Sequence, residues 1–191
     1  MMEINNKNMS ENKITIIAIN SISGGGKTTT TNELLKRFPK SKALYFDDRD
    51  YATPSGIFDL CKWELEDGAD YSLWNLQALV DDIKSLMQEN LDYIFLDYPF
   101  GYMQKQISEF ISLSVLIDTP LDMAIARRIL RDFKNKSVDD IMNDTDWYLK
   151  RGREAYVNSV KISKADADLI VDGSLPLDDI CNLIIEKIKN I

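Results

Sequence analysis

Apolar residues along this chain recur in two rhythms that alternate from the first strand to the last helix. "KITIIAIN" (13–20) is a short β-branched run without polar alternation, the pattern of a strand buried on both faces. "TTTTNELLKRF" (28–38) switches to helical spacing, with Leu34, Leu35 and Phe38 on one face and Pro39 as its stop. Strand-like runs return at "KALYF" (42–46), "DYIFLDYP" (92–99), "LSVLIDTP" (113–120) and "ADLIVDG" (167–173). Between them, Leu73, Leu76, Leu79, Val80, Ile83 and Leu86 or Met87 predict one continuous helix over 72–90. A second helix is predicted over 121–133, opened by Thr119 and Pro120 and striped by Leu121, Ile125, Ile129 and Phe133. Residues 139–160 read as mostly helical, 176–191 as a closing helix, and 54–68 as a less regular segment with a short helix.

Strands alternating with helices predict an α/β fold: a five-stranded parallel sheet with helices on both faces. Ligands of such sheets bind at the carboxyl ends of the strands, so the informative residues lie just past those ends. No internal repeat or long linker divides the chain, so residues 13–191 are expected to form a single domain. Residues 1–12 read as a flexible polar tail, lacking the apolar stretch of a secretory signal.

One of those strand ends carries "NSISGGGKTTT" (20–30), close to the phosphate-binding pattern G-x-x-x-x-G-K-[ST]. Gly26, Lys27 and Thr28 fit the pattern, and Ser21 stands where its first glycine is expected. Phosphate oxygens approach backbone N–H groups closely only where side chains are absent, which gives Gly24, Gly25 and Gly26 a joint purpose. Ser23 to Thr29 would cradle the phosphates of ATP or GTP, Lys27 would reach the β- and γ-phosphates, and the Thr28 hydroxyl would hold Mg²⁺. Ser21 is expected to narrow the freedom of the loop without abolishing binding. The loop makes this a P-loop NTPase fold and does not by itself separate kinase, GTPase and motor.

Composition removes other chemistries. The chain has 191 residues, 45% of them apolar, which suits one folded domain. A net charge of −8 speaks against broad binding to nucleic acid or anionic membrane, and no apolar run reaches the length of a membrane span. Histidine is absent, which excludes a Ser-His-Asp triad, a His-ligated zinc and a histidine base. Cys61 and Cys181 form no C-x-x-C pair and read as buried, reduced thiols of a cytoplasmic protein.

Carboxylates must then serve any acid–base role. Asp47 and Asp48 follow the second strand in "YFDDRDY", either of them placed to take a hydroxyl proton or to orient Mg²⁺-bound water; Asp50 reads as a solvated turn. Asp97 ends an apolar strand, where a carboxylate would meet Mg²⁺ through water or cap a loop. Arg127 and Arg131 share one face of the helix 121–133, and Arg128 beside them is within reach of Asp132. Such a helix serves as a lid over phosphates or as a charged solvated face, and Arg151 and Arg153 would approach the same site. Tyr98 and Phe100 would line an acceptor pocket or pack. Trp63, Trp74 and Trp147 read as packing residues, with Trp63 or Trp74 placed to stack on a planar acceptor.

With the loop "SISGGGKTT", the segment "YFDDRDY" and the helix "RRILRD" (127–132) in that order, the chain resembles the uridine/cytidine kinases among the P-loop kinases. The resemblance covers most of residues 13–190. It implies ATP and Mg²⁺, a small-molecule alcohol as acceptor with a nucleoside favoured, and a helical lid around 127–138. It further implies Asp48 or Asp47 as base, Lys27, Arg127 and Arg131 at the transferred phosphate, Arg128 at the nucleotide, and Thr28, Asp47 and Asp97 at the metal. Homo-oligomerisation stays open. Two departures stand out: no room remains for the β-hairpin that these kinases carry before the third strand, and "FKNKS" replaces the further arginines of their lid. A P-loop kinase for another alcohol and an ATP-binding regulatory domain are the alternative readings.

Overall fold

In the computed structural model of the protein, residues 14–48 and 59–191 are described, the side chain of Asp48 excepted. The strands are β1 (Thr15–Asn20), β2 (Ser41–Tyr45), β3 (Tyr93–Asp97), β4 (Leu113–Asp118) and β5 (Leu169–Asp172). They form one parallel sheet in the order β2-β3-β1-β4-β5. The helices are α1 (Lys27–Arg37), α2 (Leu60–Leu65), α3 (Gln77–Leu86), α4 (Lys105–Ser108), α5 (Leu121–Asp132), α6 (Val138–Trp147), α7 (Arg153–Asp166) and α8 (Leu177–Ile188).

Central β1 explains its own sequence. Ile16 and Ala18 enter a core with Leu79, Val80 and Ile83 of α3 and Ile107 of α4. Ile17 and Ile19 enter the opposite core with Leu34 of α1 and Ile180, Ile184 and Ile188 of α8. Both faces of the strand are apolar because both are covered. Cys181 lies in the second core, where burial pushes its thiol up to about 11, and Cys61 is buried in α2; both are free thiols. Strand order turns at β1, with β3 and β2 to one side and β4 and β5 to the other. The loop that follows β1 thus opens at the crevice where open α/β sheets bind ligands. No helix among the described residues is long and apolar enough to cross a membrane.

The continuous helix expected over 72–90 is broken. Residues Tyr71–Leu73 form a 3₁₀ turn, Trp74 is extended, and α3 begins only at Gln77. Long-range hydrogen bonds impose the break: Gln104 Nε2 donates to the Trp74 carbonyl and the Leu76 N–H donates to Gln106 Oε1, both at 3.1 Å. Asn75 then receives the Gln77 N–H in a local turn at 3.1 Å. Trp74 and Leu76 go inward while Leu73 is 49% exposed, outside the stripe expected for it, as is Met87. The helix of the 54–68 segment is α2, its first five residues lying outside the described set. The stripe expected on α5 is also shifted. Leu121, Ile125, Ile129 and Phe133 are half-buried, and the fully buried positions are Ala124 and Arg128. No hairpin precedes β3 among the described residues; Asp92 instead donates its N–H to the Lys40 carbonyl at 2.8 Å.

Candidate active site

The glycine loop is fixed by contacts on every side. Gly24 has φ 79°, and a Cβ there would lie 2.1 Å from the carbonyl oxygen of Ala124 in α5. Gly26 caps α1 at φ 105° in open space, so only its backbone angle demands glycine. The Ser21 hydroxyl donates to the Ile117 carbonyl of β4 at 2.8 Å. That oxygen fills the space beside Gly25, where a Cβ would lie 1.8 Å away from it. The Gly25 carbonyl in turn accepts from Thr119 Oγ1 at 2.7 Å. No side chain caps the amino end of α1, so the N–H groups of its first turn, Lys27 to Thr29, remain open to an anion.

Beside that helix end, Thr28 Oγ1 donates to Asp97 Oδ2 at 2.5 Å. Asp97 ends β3 and is 3% exposed. Hydroxyl and carboxylate oxygens side by side are the hard donors that suit Mg²⁺, which keeps several water ligands. Among the described residues no cluster of three or more acidic or thiol side chains is gathered to hold a metal. Asp47 lies in the turn after β2, exposed on the wall of the same cavity. Asp48 lies in the same turn with its side chain outside the described set, and Arg49, Asp50 and Tyr51 lie wholly outside it.

The cavity measures about 960 Å³ and has two chemically different ends. At one end lie the loop, Lys27, Arg127 and Arg131. Arg131 Nη2 donates to Ser23 Oγ at 3.0 Å and its Nε to Asp132 Oδ1 at 2.6 Å. That carboxylate holds the guanidinium pKa above its ordinary value, and the Asp132 carboxyl is held below its own. The pair expected between Arg128 and Asp132 is therefore not formed. Arg128 is buried, does not line the cavity, and gives both terminal nitrogens to Asp144 of α6. Arg151 is likewise committed elsewhere, to Asp59 at 3.1 Å and Glu66 at 3.6 Å, and Arg153 is exposed off the cavity.

Aromatic rings form the other end: Phe46, Trp63, Tyr71, Trp74 and Phe100. Trp74 and Tyr71 bring their rings to 5.0 and 5.4 Å from Phe100, so the tryptophans both pack and line the cavity. Tyr98 is buried outside the cavity lining, and Trp147 lines the cavity beside Gly152. Glu64 of α2 lines the same cavity at 8% exposure, within electrostatic reach of Tyr71. Asn158 of α7 donates to its Oε1 at 3.1 Å, and burial pushes the carboxyl above its ordinary value.

A family model described as "Phosphoribulokinase / Uridine kinase family" matches residues 71–180. The chain belongs to the phosphoribulokinase/uridine kinase family. Within the reach of that family it is 26% identical to the uridine kinase of Chlamydia pneumoniae, over 92% of this chain and 89% of the relative. It is 28% identical to the uridine kinase of Staphylococcus aureus, over 82% of this chain and 86% of the relative. Among solved structures it is similar to deoxyadenosine kinase from M. mycoides, with TM-score 0.55, 17% identity and coverage of 93% and 100%. It is also similar to thymidylate kinase from Candida albicans, with TM-score 0.57, 17% identity and coverage of 93% and 92%. These structural likenesses establish the α/β P-loop fold, and membership of the phosphoribulokinase/uridine kinase family makes the chain a P-loop kinase.

Sequence reasoning passed over Glu64, which in "CKWELED" looks like one more charge on a short surface helix. It also passed over Gly173, whose absent Cβ would fall 1.9 Å from Thr119 Oγ1, the hydroxyl that holds the loop. The latter had a signal: a glycine immediately past a strand end in "LIVDG".

Proposed function

We propose that this protein is an ATP-dependent, Mg²⁺-requiring kinase that phosphorylates a hydroxyl of a small molecule, a nucleoside being the favoured acceptor. The observation that carries the reading is one cavity with a cationic phosphate cradle at one end, an aromatic chamber at the other and Asp47 on its wall. In this reading the bond from the acceptor oxygen to the γ-phosphorus forms while the bond to the β–γ bridging oxygen breaks. Charge then collects on phosphate oxygens, where Lys27, Arg127, Arg131 and the amino end of α1 stabilise it. Mg²⁺, when bound, neutralises phosphate charge, and Thr28, Asp97 and Asp47 are the residues that would hold it. Asp47 or Asp48 takes the acceptor's proton.

The kinase domain is taken as residues 13–191, with the end of α5 and the turn that follows it (127–138) closing over the phosphates as a lid. Closure excludes water and favours the alcohol over hydrolysis. Uridine-kinase relatives and a nucleoside-kinase fold support the nucleoside as acceptor. The test is ADP release measured with a panel of nucleosides and other alcohols. Stimulation by an alcohol acceptor is expected; tight ATP binding with no stimulation by any of them overturns the reading in favour of a nucleotide-binding regulator.

A further inference from the structure

The two ends of the cavity differ in the sign of their charge. Its cations, Lys27, Arg127 and Arg131, all stand with the loop or on the α5 lid helix. Among the described residues lining the cavity, the remaining charged groups are Glu64 and Asp47. Glu64 is buried and lines the cavity within electrostatic reach of Tyr71, while Asp47 follows Phe46 directly and is close enough to Arg131 to act on its charge. A carboxylate taken out of water is costly unless a countercharge accompanies it. Asn158, the hydrogen-bond partner of Glu64 among the described residues, is a neutral amide and meets only Oε1 and the backbone carbonyl. Arg151, just before α7, is drawn off by Asp59 and Glu66, and Arg153, which opens α7, is exposed off the cavity.

The cavity wall that carries Glu64 also carries the rings of Trp63, Tyr71, Trp74 and Phe100; Tyr71 lies within electrostatic reach of the carboxylate, and Phe46 stands 5.9 Å from Trp74. Aromatic faces carry negative quadrupole potential and attract cations, most strongly when water is excluded. A neutral head group would use the rings for stacking and leave Glu64 without a countercharge among the described residues. A cation uses both features together. Resting on the kinase reading above, we infer that the acceptor is a cationic alcohol: a hydroxyl compound, nucleoside or otherwise, whose head group brings a positive charge into the aromatic chamber beside Glu64. The hydroxyl to be phosphorylated extends from that head toward Asp47 and the loop.

The test uses pairs of acceptors that differ in charge and little else. One pair is choline and its uncharged carbon analogue dimethylbutanol. The other is the pyridinium ribonucleoside of nicotinamide and its neutral dihydropyridine form. Binding is followed by calorimetry and phosphorylation by ADP release. The cationic member of at least one pair should bind about tenfold or more tighter than its neutral partner. Glu64→Gln, which preserves shape and the bond from Asn158, should bring the two members to near-equal affinity. Equal or tighter binding of the neutral members to the unaltered protein overturns the inference, whether or not the variant folds. So does a charge preference that survives Glu64→Gln, or failure of all four compounds to bind. If uridine or another neutral alcohol then drives ADP release, the kinase reading stands while this inference falls. If a cationic member binds tightly and no alcohol drives ADP release, the fault lies in the kinase reading.

Discussion

The Ser21 hydroxyl and Gly25 occupy each other's space: a Cβ built on Gly25 would lie 1.8 Å from Ser21 Oγ. Ser21 departs from the usual loop pattern, and its hydroxyl ties the loop to Ile117 of β4. That departure makes glycine at position 25 obligatory. Gly25→Ala should therefore destabilise the protein by about 1–3 kcal/mol, the usual cost of overpacking. Ser21→Gly removes the obstructing atoms, and Gly25→Ala made in that background should cost clearly less. The Ile22 carbonyl, 2.9 Å from the same Cβ position, keeps the relief partial. A double-mutant cycle of melting temperatures measures the coupling. Additive effects would show that the loop relaxes around the serine.

Lys27 opens α1 directly after the last loop glycine and lines the cavity. Lys27→Ala should leave the fold intact, because the residue belongs to neither core. Phosphoryl transfer should fall by about 10²–10³, the typical loss of one preorganised charge contact. Circular dichroism and steady-state kinetics on the same preparation decide it, and near-normal turnover in the folded variant would refute the cradle.

What the sequence reveals follows from how local each feature's cause is. The run Ile16–Ile19 identifies a two-sided strand on its own, because both cores take alternate residues from it. The loop is legible because its spacing and its backbone angles reside within a few residues. The break before α3 is not legible. Trp74 and Leu76 have apolar character and helical spacing, and the groups that pull them out of the helix, Gln104 and Gln106, stand 30 residues away. Glu64 is hidden for the same reason, since its neighbour Asn158 lies 94 residues on. Helical spacing correctly pairs Arg127 with Arg131 on the cavity, yet it cannot say that Arg128 turns to Asp144.

Burial of Glu64 makes stability depend on pH in a definite direction. Its carboxyl is pushed above the ordinary 4.5 by burial, against a weaker opposing effect of Asn158. The folded protein thus holds this proton more tightly than the unfolded chain does. The stability that protonated Glu64 allows is complete below about pH 4.5 and is lost as pH rises through the folded value. Above its folded value the ionised side chain is a cost to the protein without acceptor. Glu64→Gln should raise the melting temperature at pH 7, with the gain shrinking as pH falls toward 4.5. A gain that is independent of pH, or a loss at pH 7, would show that Glu64 is not buried as a charge.

Arg128 and Arg131, one helical turn apart on α5, should behave as different kinds of residue. Arg128 is 9% exposed and paired with Asp144 across the α5–α6 contact. Removing one partner strands the other as a buried charge, so Arg128→Ala should cost about 3–5 kcal/mol. Replacing both together with apolar residues, Arg128→Met with Asp144→Leu, should restore most of that loss, because no unpaired charge is then left behind. Arg131 has the opposite environment. Its side chain is 59% exposed, reaches Ser23 in the loop and lines the cavity. Arg131→Ala should change stability by no more than about 0.5 kcal/mol, the scale of an exposed ion pair. If its guanidinium meets charge that develops in the transition state, kcat should fall strongly while ATP affinity changes less. Arg131→Lys should recover only part of the rate, since lysine keeps the charge but lacks the planar fork of donors. Melting temperature, kcat and ATP affinity measured on all four proteins separate the two roles. An Arg131→Ala protein with unchanged kcat would reduce this face of α5 to solvated surface. An Arg128→Ala protein that melts normally would mean the pair with Asp144 does not hold α6 in place.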